Sequence, residues 1–202
     1  MDVNANLVRD LRDKTGAGVM DCKKALAESK GDLEQAAIWL REKGIAQAAR
    51  RAGRVASEGS VGAYIHAGGK LGVLVEINCE SDFVAKTPEF QTLAKEIAMQ
   101  IAAQNPRCVR REQLAPDIIE QERQIYAAQS AGKPEQVVAK IVEGKLEKFY
   151  RDVVLEEQAW VRDPNRTIRE LLGEYTGKLG EKIEIRRFSR YQLGENLEGT
   201  AA

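Results

Sequence analysis

The period of the apolar residues changes at Gly59. Before it, apolar side chains recur at helical spacing; after it, Val61, Ala63 and Ile65 alternate with Gly62, Tyr64 and His66. Beyond Gly68-Gly69 a second alternation runs through Val73, Val75, Ile77 and Cys79, with Glu76, Asn78 and Glu80 in the opposite phase. A period of two sends successive side chains to opposite faces of a strand, so each run has one face to bury. Two such runs joined across a glycine pair predict a β-hairpin. A helical block followed by this hairpin sets the class as α+β.

Residues 1–54 read as a three-helix unit. Asn4 or Asn6 can cap the first helix, which turns Leu7, Val8 and Leu11 inward and is broken by Thr15-Gly16-Ala17-Gly18. The second carries Met20, Cys22, Ala25 and Leu26 and ends near Gly31. Asp32 caps a third, whose Leu33, Ala36, Ala37 and Leu40 follow the i, i+3, i+4, i+7 spacing. Gly53 and Gly59 bracket the expected hinge. The expected division is therefore a helical bundle at 1–54, a core domain at 55–195 and a small polar tail, frayed, at 196–202.

After the hairpin, Phe90, Leu93, Ala94, Ile97, Ala98, Ile101 and Ala102 trace an amphipathic helix, capped by Thr87, opened by Pro88 and stopped by Asn105-Pro106. Two more helices, 116–131 and 134–150, are expected as an antiparallel pair around Ala131-Gly132-Lys133-Pro134. Asp163-Pro164-Asn165 reads as a turn. Thr167 with Glu170 reads as a capping box for a helix bearing Ile168, Leu171, Leu172 and Tyr175 and ending at Gly180. Ile183, Ile185 and Arg187, alternating with Glu184, Arg186 and Phe188, supply one more strand for a sheet of about three.

Composition narrows the function. With 43% apolar and 31% charged residues the chain reads as globular and soluble, and no stretch approaches the ~20 apolar residues of a membrane span. Met1-Asp2-Val3-Asn4 lacks the basic-then-apolar run of a secretory signal, which predicts a cytoplasmic protein. Basic and acidic residues balance at 31 each, so no global field draws the chain to nucleic acid, and a protein partner fits better. Cys22, Cys79 and Cys108 form no CxxC pair and have only His66 to join them, which argues against zinc and against a disulfide framework.

Candidate catalytic patterns are weak. Around Gly69-Lys70, Tyr64 and Leu71 stand where a phosphate loop needs glycine and a hydroxyl. Thr15-Gly16-Ala17-Gly18 follows a helix instead of a strand. A Cys79, His66, Asp82 constellation would place its nucleophile on the apolar face of a strand, where a buried, inert thiol is expected. Glu156-Glu157 reads as a solvated pair. The basic run Arg41, Lys43, Arg50, Arg51 and Arg54 reads as a solvated helix face or linker, with contact to an acidic partner as the alternative.

One stretch belongs to neither periodic face. In Cys79-Glu80-Ser81-Asp82-Phe83-Val84-Ala85-Lys86, Phe83 falls between the strand exit and the Thr87 helix. Pattern alone leaves it as a loop residue folded inward, the commoner case, or as a projecting anchor.

Thr15-Gly16-Ala17-Gly18-Val19-Met20-Asp21-Cys22-Lys23-Lys24-Ala25-Leu26 and Asn78-Cys79-Glu80-Ser81-Asp82-Phe83-Val84-Ala85 resemble translation elongation factor Ts, a similarity running from about residue 4 to 195. It includes Glu143-Gly144-Lys145-Leu146 and Arg187 to Gly194, and Gly31 to Ala37 resembles the last helix of ubiquitin-associated bundles. The resemblance implies a guanine-nucleotide exchange factor that binds elongation factor Tu, GDP-bound or nucleotide-free. It would displace magnesium and release GDP without breaking a bond, so neither a catalytic side chain nor a cofactor is implied. Within Ser81, Asp82, Phe83 and Val84 the aromatic would be the wedge and Asp82 the polar contact beside it. Val19, Met20, Lys23 and Arg51 would touch the partner. Ser81 stands where many relatives have Thr, and Glu156, Ala159 and Trp160 where short relatives have Leu, Pro and Phe. Only one hairpin-plus-helices unit is present, which in short members implies a homodimer and a two-plus-two complex. Two other classes compete: an RNA-binding or ribosome-associated module using Arg41 to Arg54 and Arg186 to Arg190, and a hydrolase using Cys79.

Overall fold

The computed structural model describes residues 4–195, and the tail expected at 196–202 lies outside them. The chain divides into two compact units, each assembled from three stretches of sequence. The first takes the N-terminal residues through Ser60, Ile77–Leu93 and Arg169–Ile185; the second takes Val61–Glu76, Ala94–Ile168 and the residues from Arg186 onward.

In the first unit, α1 (Ala5–Thr15) begins where the Asn4 side chain accepts the Asn6 N–H at 2.9 Å, and ends at Gly16 in the left-handed conformation. Next come α2 (Val19–Glu28) and α3 (Leu33–Arg51), the latter capped by Asp32, whose Oδ1 accepts the N–H groups of Glu34 and Gln35 at 2.8 and 3.0 Å. Helices as short as α1 and α2 are marginal alone. Val8, Leu11, Cys22, Ala25, Leu26 and Ala36 form their shared core, with Leu7, Leu33, Ala37 and Leu40 packed on it. The third helix continues well past its readable period and meets α8 (Ile168–Leu179) at Gly44. A Cβ there would stand 2.8 Å from the Gly173 carbonyl oxygen, so only glycine allows the two backbones to approach.

Strands β1 (Glu58–Ile65), β2 (Leu71–Cys79) and β5 (Glu184–Gln192) form an antiparallel sheet of order β1-β2-β5. The hairpin turns at Gly68 and Gly69, both at positive φ, with the His66 N–H donating to the Leu71 carbonyl at 2.8 Å. In β2 the inward residues are Val73, Val75, Ile77 and Cys79, as the alternation requires. In β1 the phase is the reverse of the apolar pattern: Val61 and Ile65 are each 66% exposed, while Gly62 and Tyr64 are half-buried. The cause is steric, because a Cβ on Gly62 would lie 3.1 Å from the Ala94 methyl, so the strand turns its small residue inward. The alternation of β5 also slips after Ile185. Arg186 and Arg187 both reach the Glu76 carboxylate, at 3.5 and 2.6 Å, and Phe188 and Arg190 become half-buried in place of Arg187.

After β2 comes a single helical turn, α4 (Asp82–Ala85), then α5 (Pro88–Gln104), where Thr87 Oγ1 accepts the Phe90 N–H at 3.3 Å. Its expected apolar stripe is buried throughout, and Asn105 at φ 45° ends it. In the second unit α6 (Pro116–Ala128) and α7 (Glu135–Val153) form the helical hairpin, with Lys145 Nζ in mid-α7 donating to Gln129 Oε1 at 2.6 Å. Phe149, Leu114, Cys108 and Val154 make the core beside it, with Ile118, Ile119 and Tyr126 against them.

Residues 154–167 differ from expectation. Glu156 and Glu157 are not solvated: Glu156 is 7% exposed and accepts from Arg110 Nε at 2.8 Å, while Glu157 accepts from Arg111 Nε and Nη2 at 2.5 and 2.6 Å. Arg111 also grips Glu147 at 2.9 and 2.7 Å and lies over the Tyr150 ring. Adjacent residues on a short 3-10 turn thus meet adjacent arginines. Asp163-Pro164-Asn165 lies in β4 (Asp163–Thr167), which pairs antiparallel with β3 (Ala159–Trp160), so the turn is at Val161-Arg162. A two-residue strand is too short to show a period. No helix among the described residues is long and apolar enough to cross a membrane.

Candidate functional site: a capped turn that presents Phe83

The site is built where β2 leaves the sheet. Cys79 is fully buried, and its thiol donates to the Ser81 carbonyl at 3.2 Å. Burial, with the Glu181 charge adding, pushes that thiol up to about 11. It is thus a neutral core group at ordinary pH, unlike a nucleophile. His66 is engaged elsewhere, its Nδ1 at 2.9 Å from the Tyr64 hydroxyl.

Ser81, extended at φ −131°, is the N-cap of α4, and its Oγ accepts the Val84 N–H at 3.4 Å. Three donors of this corner converge on Glu181: the Ser81 hydroxyl at 2.6 Å to Oε1, and the N–H groups of Ser81 and Glu80 at 2.9 and 3.1 Å to Oε2. The exchange is mutual. The Glu80 carboxylate accepts the Lys182 N–H at 2.6 Å and Arg54 Nη1 at 3.1 Å. The Lys182 N–H, followed by Arg54 and Arg51, holds the Glu80 carboxyl below its usual range.

A one-turn helix divides its residues cleanly. Val84 and Ala85 are buried, while Asp82 faces solvent, paired with Lys86 at 2.5 Å, and Phe83 is 81% exposed. The far end is equally fixed: Thr87 Oγ1 donates to the Val84 carbonyl at 2.7 Å, and Gln91 Nε2 to the Ala85 carbonyl at 2.8 Å. Of the four residues singled out in the sequence, Ser81 and Val84 therefore support, and Asp82 and Phe83 project. The exposed ring settles the choice left open by pattern, against inward packing.

The N-terminal candidates occupy a different place. Val19 and Met20, 51% and 75% exposed, open the first turn of α2, with Lys23 exposed one turn on. Arg51, half-buried in the last turn of α3, is not part of that patch, and its charge acts weakly on Glu80. Within the basic run, Lys43 pairs with Asp21 and lies over Trp39, and Arg54 is held by Glu80. Glu181 and Lys182 escaped the sequence reading. The only signal was a Glu-Lys pair just past the helix stop at Gly180, and nothing local links it to Ser81.

A family model described as Elongation factor TS matches residues 28–195. An Elongation factor Ts of Desulforamulus reducens is 56% identical over 199 residues, covering 98% of this chain and 92% of that relative. One from Thermoanaerobacter sp. (strain X514) is 56% identical over 198 residues, 97% of each chain. One from Geobacter sulfurreducens is 53% identical over 200 residues, 98% and 93% of the two chains. An α+β chain with a helical N-terminal bundle and an anchored, outward-facing aromatic, matched in this way along nearly its whole length, is a translation elongation factor. It belongs to the elongation factor Ts family.

Proposed function

We propose that this protein is a guanine-nucleotide exchange factor: it binds elongation factor Tu in its GDP form, displaces magnesium, and releases GDP so that GTP can enter. The observation that carries the reading is the exposure of Phe83 on a turn anchored at both ends. A turn whose backbone is already fixed loses little further freedom when its aromatic docks, which favours a wedge over a flexible contact. Asp82 is the polar contact beside it. Val19, Met20 and Lys23 form a second patch on the bundle, which we take as ubiquitin-associated-like, and Arg51 is a further contact to the partner.

Exchange is a linkage. If this protein and GDP weaken each other's hold on the partner, the coupling is equal in both directions, and a hundredfold effect corresponds to about 2.7 kcal/mol. A seated aromatic supplies roughly 2–4 kcal/mol. Loss of magnesium, which neutralises phosphate charge, adds to it. The role breaks no bond, so the protein acts as a binding factor, without a catalytic side chain or cofactor of its own, in the cytoplasm where translation runs. The outward apolar residues Val61, Ile65, Leu74, Tyr191 and Leu193 support a homodimer and hence a two-plus-two complex. An RNA-binding role is less favoured, because Lys43, Arg54, Arg186 and Arg187 are committed to carboxylates of the chain itself.

The test is release of labelled GDP from elongation factor Tu. Acceleration by the wild-type chain, and its loss in Phe83→Ala by about 30- to 1000-fold, is expected. No acceleration by wild type would refute the function; full acceleration by Phe83→Ala would refute the wedge.

A further inference from the structure

We infer that Glu181 is a positioning residue of the exchange site, acting through Phe83; the inference rests on the wedge reading above. A single helical turn has no stability of its own, because nucleation fixes several residues in return for very few hydrogen bonds. Something outside α4 must therefore set the direction in which residue 83 points. Among the described contacts, Glu181 is the group that does so at the entry end. It accepts the two N–H groups that precede the helix and also the cap hydroxyl itself.

The hydroxyl contact has a directional effect. By accepting the Ser81 O–H at 2.6 Å, the Glu181 carboxylate leaves an oxygen lone pair facing the Val84 N–H, so the cap is oriented as well as filled. A carboxylate at this point also places negative charge at the N-terminal end of the turn. Its backbone is fixed in turn, since the neighbouring Lys182 N–H is bound by Glu80. Two segments about 100 residues apart thus each bind the other's backbone through a carboxylate. A Thr at position 81 would offer the same hydroxyl to Glu181.

The experiment uses the full chain as wild type, Glu181→Ala, Glu181→Gln, Phe83→Ala and the Glu181→Ala/Phe83→Ala double variant. Release of fluorescent GDP from elongation factor Tu is followed across a range of factor concentrations, well below the melting temperature of each variant. Glu181→Ala is expected to lower the release rate at saturation about tenfold, with a shift of less than about threefold in the concentration giving half the effect. Glu181→Gln, which keeps an accepting oxygen, is expected to lie between the two. In the Phe83→Ala background, Glu181→Ala is expected to change the rate less than about twofold, because residues acting as a unit are non-additive. A wild-type rate in Glu181→Ala overturns the inference, as does a loss of the same size with and without Phe83, which would mark general destabilisation. If Glu181→Ala does not fold, the Gln variant carries the same comparison in both backgrounds. A wild-type rate in Phe83→Ala removes the wedge and this inference together, and is told apart by that single variant.

Discussion

Replacing Gly59 by alanine should destabilise the protein severely, while the same change at Gly53 should not. Gly59 has φ +148°, a conformation that side chains rarely adopt, and a Cβ built on it would lie 2.1 Å from the Ile77 carbonyl oxygen and 2.8 Å from the Asn78 Cα. These neighbours are backbone, so no side chain can swing away. An ordinary carbon–oxygen contact is about 3.3 Å, which requires the two strands to part by roughly 1.2 Å. Backbone strain of about 1–3 kcal/mol and overpacking of about 1–3 kcal/mol together give roughly 2–6 kcal/mol. For a chain of this size that is a fall of roughly 4–24 °C in melting temperature. Gly53 has nothing within 4 Å of its absent Cβ, and alanine there should be neutral or stabilise by about 0.4–1 kcal/mol through the unfolded chain. Equilibrium urea unfolding, followed by far-ultraviolet circular dichroism at one fixed protein concentration, measures both. A Gly59→Ala unfolding free energy within about 0.5 kcal/mol of wild type would refute the steric argument.

Three further outcomes are expected. Phe83→Ala should leave the unfolding free energy within about 0.5 kcal/mol of wild type, since the ring is 81% exposed; a larger loss would mean that Phe83 serves the fold. Wild-type protein should scatter light as a species of twice 22.4 kDa, and Val61→Glu/Ile65→Glu should scatter as one of 22.4 kDa; a wild type already at 22.4 kDa at micromolar concentration would refute the dimer. Burial raises the Cys79 and Cys108 thiols from 9.0 to about 11, so the folded state holds their protons more tightly than the unfolded chain. Their contribution is complete below pH 9.0 and is lost as the pH climbs toward about 11, so stability should fall across that interval, and less steeply in Cys108→Ala. A slope unchanged by that substitution would refute the assignment.

What could be read from sequence depended on range. The caps at Asn4 and Asp32, the inward set of β2 and the whole stripe of α5 follow from residues within a few positions of one another. Failures came where a distant neighbour overruled the local pattern. Gly62 turns inward because Ala94 leaves no room for more, and this puts Val61 and Ile65 outside although their alternation marks them for the core. Glu156 and Glu157 look solvated until Arg110 and Arg111, some 46 positions earlier, are brought to them. At the site, Ser81 to Val84 could be singled out, but the direction of Phe83 was not decided by periodicity. Its ring points outward because Val84 and Ala85 take the inner side of a turn whose anchor, Glu181, shares no pattern with it.

The mutual grip of Glu80 and Glu181 also sets a time at which the protein becomes complete. Ser81 and Glu181 are separated by 100 positions, and a ribosome adding about 5–20 residues per second needs roughly 5–20 s to cross that distance. During that interval the nascent chain already carries Phe83 but not the carboxylate that orients its turn. A chain released before residue 181 therefore carries Phe83 on a turn that lacks the carboxylate bound to its Ser81 cap.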